Sequence, residues 1–250
     1  MITDSRPAGE AAGVRPQNND RPKKPRYRFD KVQSKNDEVM TVSRSLSGLR
    51  LVPGYLDRAS QEALLSALGT VFAAAPLYIP RMPKSGKPLS VRMTNCGPLG
   101  WVTDESGYRY QPLHPQTGKP WPAMPDILVN AWKALARYPH LPESCLINYY
   151  GPAAKMGLHQ DRDERDFEAP VVSLSLGDTC VFRVGGTTRK DPTRTLHLAS
   201  GDAIVLGGKA RLAFHGVDRI LPRTSTLLAE GGRINLTLRR VSAPGEDQAR

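Results

Sequence analysis

Cysteine is scarce in this 250-residue chain, with Cys96, Cys145 and Cys180 the whole set. Three widely spaced thiols exclude a disulfide framework and a zinc ribbon, and read as buried thiols in a reducing compartment. Long apolar runs are missing as well. No stretch reaches the roughly 18–20 apolar residues of a membrane helix. The first ten residues, from Met1 to Glu10, lack the apolar core of a secretory signal. A cytoplasmic protein with no membrane partner is the expectation. Histidine is also rare. His114, His140, His159, His197 and His215 are the only five, so few positions are open to an imidazole-based metal site.

Positive charge, by contrast, is in excess. The formal net charge is +11 and the sequence pI about 9.8, a balance that favours a polyanionic partner such as nucleic acid. Part of it lies in the first 36 residues, where nine Lys/Arg face four Asp/Glu. Residues 1–40 hold few apolar side chains, too few to offset the entropy of ordering, and are expected to be a disordered basic tail. The run from Arg21 to Arg28, with Tyr27 as its one aromatic, reads equally as a phosphate-tracking arm or as a solvated tail.

The remainder suits a single domain with one sizeable core. A short strand is expected at Leu49–Val52, stopped by Pro53-Gly54. A helix follows over 57–75, with Leu64, Leu65, Leu68, Val71 and Phe72 at helical spacing and Asp57 or Ser60 as its cap. Residues 76–124 are rich in Pro and Gly, with strand-like pieces at 89–94 and 108–111. Trp101, Tyr108 and Tyr110 lie there among Arg81, Lys84, Lys87 and Arg92, which suits stacking on bases beside phosphates as well as ordinary core packing. A second helix is expected over 125–138. From Cys145 the pattern changes to eight short strands, at 145–150, 157–161, 171–176, 180–184, 195–198, 203–206, 212–215 and 233–240, punctuated by Gly, Pro, Asp and Ser. This predicts a mainly β fold with flanking helices, a jelly roll or similar barrel. The expected division is an N-terminal extension over 41–144, the barrel over 145–241, and a disordered tail over 242–250.

The chemistry concentrates between Leu146 and Glu164. His159 and Asp161 are two residues apart, so on an extended strand both project to one face. An imidazole beside a carboxylate is two thirds of a facial iron site, which needs a second histidine from elsewhere. A late strand should supply it, with His215 and the less favourably placed His197 as candidates. Asn148 and Tyr150 share a face by the same period. In Arg233-Ile-Asn-Leu-Thr-Leu-Arg239 alternation puts Arg233, Asn235, Thr237 and Arg239 on one face. That face is either an exposed edge or a barrel lining. In the second case two buried cations need anions, and a dicarboxylate would supply them.

Taken together, His159-x-Asp161, His215 and Arg233-x-Asn235-x3-Arg239 resemble the AlkB family of iron(II)/2-oxoglutarate dioxygenases. The likeness extends through Asn95–Trp101, His114–Pro125, Leu146–Lys155 and Phe182–Gly186, and covers roughly residues 45–240. It implies a double-stranded β-helix, a jelly roll, under an N-terminal nucleotide-recognition lid within 76–124. It implies Fe2+ held by His159, Asp161 and His215, with 2-oxoglutarate and O2 as cosubstrates. It places 2-oxoglutarate among Asn148, Tyr149, Tyr150, Arg233, Asn235 and Arg239, with Arg233 on the distal carboxylate. Substrate contacts would be Trp101 stacking on the damaged base opposite His159, Tyr108, Tyr110, Asp163 reading an exocyclic amine, and Arg189, with Met93 and Lys155 nearby. The implied activity is oxidative removal of methyl groups from bases such as 1-methyladenine and 3-methylcytosine. The partner would be alkylated DNA, preferably single-stranded but also duplex, and also RNA, met by a monomer. An oxygenase of some other substrate, or a non-catalytic nucleic-acid-binding barrel, are the alternatives. Tyr149 stands where a bacterial member has Arg, Ile234 replaces a Tyr, and the interval from His215 to Arg233 is one residue longer. These departures bear on substrate preference and leave the presumed ligands untouched.

Overall fold

Twelve strands form where the alternating and apolar stretches lie, in a computed structural model that describes residues 47–246. The tail expected over 1–40, and residues 247–250 of the second, lie outside the described residues. The start of the second expected tail is anchored: Ser242 is buried, and its backbone N–H and hydroxyl donate to Glu143 at 2.6 and 2.8 Å.

A six-stranded antiparallel sheet runs in the order β1 (Leu49–Val52), β10 (Ala203–Leu206), β7 (Val171–Gly177), β12 (Arg233–Arg239), β5 (Ser144–Tyr150) and β2 (Arg92–Cys96). A four-stranded sheet runs β6 (Met156–His159), β11 (His215–Ile220), β8 (Cys180–Val184) and β9 (Arg194–Leu198). Four strands of the larger sheet, β10, β7, β12 and β5, oppose the smaller one in the expected jelly roll. β1 and β2, from the N-terminal part of the chain, extend the larger sheet at its two edges.

Period-two alternation decides which side chains meet which layer. The inward face of β12 is polar, whereas Ile234, Leu236 and Leu238 turn outward with Ile147 and Leu174. That outer face is covered by two helices, α1 (Arg58–Ala74) and α2 (Asp126–Leu135). Leu64, Leu68, Leu128 and Trp132 are fully buried against it, each contributing about 1.5–3 kcal/mol by leaving water. Asp57 caps α1, accepting from the Ser60 N–H at 2.8 Å. The helix expected to reach 138 stops at Leu135, and Arg137 adopts φ 52°.

Three strand expectations need correction, two of them at the site. The strand expected over 157–161 ends at His159, so Asp161 lies beyond it. The strand expected over 212–215 instead begins at His215 and runs on to Ile220. Before it, Gly208–Ala210 forms a 3-10 turn, and Ala213 is wholly buried without strand pairing. An apolar run buried in a loop has the same composition as a buried strand, so composition alone does not separate the two. The third correction is that residues 100–111 form a complete hairpin, β3 (Gly100–Asp104) and β4 (Gly107–Gln111). Gly100 is required there, because a Cβ would lie 2.3 Å from the Trp121 ring.

Candidate metal and cosubstrate site

β6 and β11 pair antiparallel with His159 opposite His215 in the register. Their ring centroids are 4.5 Å apart. This approach depends on Gly216, where a Cβ would stand 2.6 Å from the Met156 carbonyl oxygen. Each imidazole is oriented in the same way. His159 Nδ1 lies 2.9 Å from the Gly157 carbonyl, and His215 Nδ1 lies 2.9 Å from the Ala213 carbonyl. A carbonyl can only accept, so both Nδ1 atoms carry the proton and both Nε2 lone pairs are free to bind a metal. Those Nε2 atoms sit 3.7 and 3.9 Å from the Asp161 carboxylate. All three ligand atoms lie within 4.8 Å of one another. Two imidazoles and one carboxylate on one side of a point form the donor set that suits Fe2+ and leaves positions open.

The electrostatics suit a cation. Burial, then His159 alongside, pulls the His215 pKa down to about 4, so the ring is neutral and able to ligate. Burial opposes ionisation of Asp161, but Arg239, then His215, His159 and Arg211, outweigh it and hold the carboxyl below the usual carboxylate range. Arg239 donates to both Asp161 oxygens, at 2.9 and 3.2 Å.

A cavity of about 850 Å3 opens around these ligands, inside the range of roughly 300–1,000 Å3 typical of small-molecule sites. Arg233, Asn235, Thr237 and Arg239 all line it, so the polar face of β12 is a barrel lining rather than an edge. Arg233 is 1% exposed and has no carboxylate partner among the described residues. It donates to Ser175 Oγ at 2.8 Å and to the Leu198 carbonyl at 3.3 Å, while its buried Nε has no partner. A buried guanidinium left unneutralised calls for an anion. Asn148 and Tyr150 line the same space, and Asn148 Oδ1 is buried without a partner. These groups fit a dicarboxylate bound beside the metal. The serines of β7 went unread in the sequence, although alternation gives their signal. Ser173 and Ser175 share the inward face and accept from Asn235 and Arg233.

Tyr149 does not join this set. It lies one residue out of phase with Asn148 and Tyr150, so its ring packs on the outer face of the sheet, with the Arg92 guanidinium 4.7 Å from the ring centre. The resemblance assigned it to the cosubstrate, and the pleat turns it away.

Trp101 and Tyr108 line the outer part of the cavity and stack at 5.6 Å and 17°. The Trp101 indole N–H donates to Asp163 at 2.7 Å. Met93, Lys155, Asp163 and Arg189 also line the space, and Arg189 lies over Phe214 at 5.0 Å. Tyr110 is set behind this lining, its hydroxyl donating to Glu164. His197 is exposed on the four-stranded sheet, away from the cluster, and His114 is buried among Pro76, Gln116 and Thr117 backbone groups. Arg211 and Glu164, both buried, were not singled out in the sequence, since isolated charges ordinarily read as surface.

The profile of the 2OG-Fe(II) oxygenase superfamily matches residues 48–239. An alpha-ketoglutarate-dependent dioxygenase AlkB homolog of Caulobacter vibrioides is 56% identical over 193 residues, 77% of this chain and 87% of the relative. The AlkB dioxygenase of Escherichia coli is 44% identical over 183 residues, 72% of this chain and 84% of the relative. The solved structure of OsALKBH1 superposes with a TM-score of 0.65 at 33% identity, covering 77% of this chain and 98% of that one. With the His-Asp-His cluster and the arginine-lined cavity already in place, these matches show that the chain belongs to the AlkB family of 2OG-Fe(II) oxygenases.

Proposed function

We propose that this dioxygenase repairs nucleic acid by oxidative dealkylation of N-alkylated bases such as 1-methyladenine and 3-methylcytosine. Single-stranded DNA is the preferred substrate, duplex DNA and RNA are also accepted, and the enzyme acts as a monomer. One observation carries the reading. A single cavity joins a His159, Asp161 and His215 cluster and an unneutralised Arg233 to an outer part lined by Trp101, Tyr108, Lys155, Arg162 and Arg189. Aromatic faces beside cations suit a base and its phosphates.

When bound, iron with 2-oxoglutarate and dioxygen supplies the oxidation: 2-oxoglutarate becomes succinate and carbon dioxide, and a methyl C–H becomes C–OH. The protein's residues do the rest. His159, Asp161 and His215 hold the metal. Arg233 neutralises the distal carboxylate of 2-oxoglutarate. Trp101 offers its face to the base, and Asp163 keeps free lone pairs to accept from an exocyclic amine. The hydroxymethyl product releases formaldehyde without help from a side chain. A methylated Watson–Crick face has already lost its pairing, so extrusion of that base from a duplex costs less than for an intact pair, where it takes about a few kcal/mol.

The test is mass spectrometry of methylated single-stranded oligonucleotides incubated with Fe(II), 2-oxoglutarate and ascorbate. Loss of 14 mass units per lesion, with formaldehyde and succinate in equal amounts, is the expected result. Succinate without loss of the methyl group would move the substrate elsewhere.

A further inference from the structure

The β6–β11 pairing fixes two of the three ligands, and no strand fixes the third. Asp161 lies past the end of β6, in a stretch over 160–170 with neither helix nor sheet. A ligand carried on such a stretch must be held by something else, because a misplacement of about 1 Å costs a preorganised site most of its advantage.

Arg211 supplies the hold. It is 3% exposed and directs three donors at three points of that one stretch. Its NH1 donates to the Asp161 carbonyl at 2.7 Å, its NH2 to Glu164 Oε2 at 3.0 Å, and its Nε to the Ala169 carbonyl at 2.8 Å. The planar fork of a guanidinium is what allows one side chain to make three such bonds. Arg211 also sits four residues before His215, on the turn whose Ala213 carbonyl orients that imidazole. Gln160 adds a second tie, donating to the Leu212 carbonyl at 2.6 Å. The Asp161 stretch is thereby tied to the His215 stretch.

Glu164 completes the arrangement. Its carboxylate is buried between Arg211 and Arg239, with Arg239 Nε at 3.4 Å, and it accepts from the Tyr110 hydroxyl. Two carboxylates, Asp161 and Glu164, face two guanidiniums, Arg211 and Arg239. Glu164 gives Arg239 a second anion, so Asp161 need not be wholly occupied by that arginine and retains a free lone pair for a metal.

We propose that Arg211, with Glu164, is a positioning residue that aims the metal-ligating carboxylate of Asp161 at the two histidines. The inference rests on the metal reading given above. Its test is Co(II) titration of the full chain, followed by the visible absorption of the bound ion, in the parent, Arg211→Lys, Glu164→Gln and Asp161→Ala, with circular-dichroism melts of each. Arg211→Lys keeps the charge and loses the fork, so its Co(II) affinity is expected to fall at least tenfold, with a shifted absorption band. Glu164→Gln keeps the volume, guards against a folding failure of the first variant, and is expected to weaken Co(II) about tenfold. Variants that melt earlier but bind Co(II) with parental affinity and band shape would overturn the proposal and leave a merely structural role. A parent protein whose Co(II) binding is absent, or is unchanged by Asp161→Ala, would instead overturn the metal reading itself.

Discussion

His159 and His215 are register partners on adjacent antiparallel strands, and the backbone between those strands passes over Gly216. The pairing, rather than either side chain alone, sets the distance between two ligands. Gly216→Ala would place a methyl 2.6 Å from the Met156 carbonyl oxygen and 2.9 Å from that of Gly157. Both are backbone atoms and cannot step aside like a side chain, so β6 must shift away from β11. We expect a loss of about 1–3 kcal/mol in stability and at least a tenfold loss of metal affinity. Thermal melts with and without Co(II) measure both. Unchanged affinity would show that the strand spacing is not what fixes the ligands.

Arg233 is a buried cation without a carboxylate partner among the described residues, which makes its removal informative in two ways. Arg233→Ala relieves an uncompensated buried charge but also removes a large, fully buried side chain and its bonds to Ser175 and Leu198, so the two effects oppose each other. The variant without 2-oxoglutarate should therefore melt within a few degrees of the parent. The same change deletes a charge-assisted bond to the cosubstrate, worth about 1.5–3 kcal/mol. The expected result is a rise in the KM for 2-oxoglutarate of about 10- to 150-fold. The increase in Tm that 2-oxoglutarate gives the parent should also disappear.

Much of this was legible in the sequence because alternation is a strong signal where one sheet face is polar and the other apolar. Arg233, Asn235, Thr237 and Arg239 on one face, with Ile234, Leu236 and Leu238 on the other, needed no coordinates. The His159-x-Asp161 spacing pointed to the right residues through a strand that in fact ends at His159. The two side chains meet because Arg211 bends the following stretch back, and no local pattern announces that. Glu164 and Arg211 stayed hidden for the same reason. Their burial follows from each other and from Arg239, partners 47 to 75 residues apart in the chain.

Tyr149 separates resemblance from geometry. Its neighbours Asn148 and Tyr150 line the cavity, and its own ring packs on the opposite face, where its hydroxyl donates weakly to the Gly231 carbonyl at 3.4 Å. Tyr149→Phe keeps the ring beneath Arg92 and removes only that bond. We expect the KM for 2-oxoglutarate to change less than about twofold and stability to change by less than about 0.5 kcal/mol. A steady-state titration of 2-oxoglutarate decides it, and a large rise in KM would return Tyr149 to the cosubstrate site.

Asp163 offers the clearest test of why a damaged base would be preferred to a normal one. Its carboxylate lines the cavity and already accepts the Trp101 indole N–H at 2.7 Å. An amide oxygen can accept that same bond, so Asp163→Asn keeps the indole in place while it deletes the charge and turns the second oxygen, the acceptor for an exocyclic amine, into an N–H donor. Bases methylated at N1 of adenine or N3 of cytosine are cations at neutral pH, whereas 3-methylthymine is neutral. A fixed anion a few ångströms away favours the cations through Coulomb attraction, weakened by the solvent at this exposed position. The expected result is a fall of about tenfold in kcat/KM for the cationic lesions, with 3-methylthymine changed by less than about twofold. Parallel mass-spectrometric rates on the three lesions in one oligonucleotide sequence measure the difference. An equal loss on all three would mean that Asp163 acts by holding Trp101 rather than by its charge.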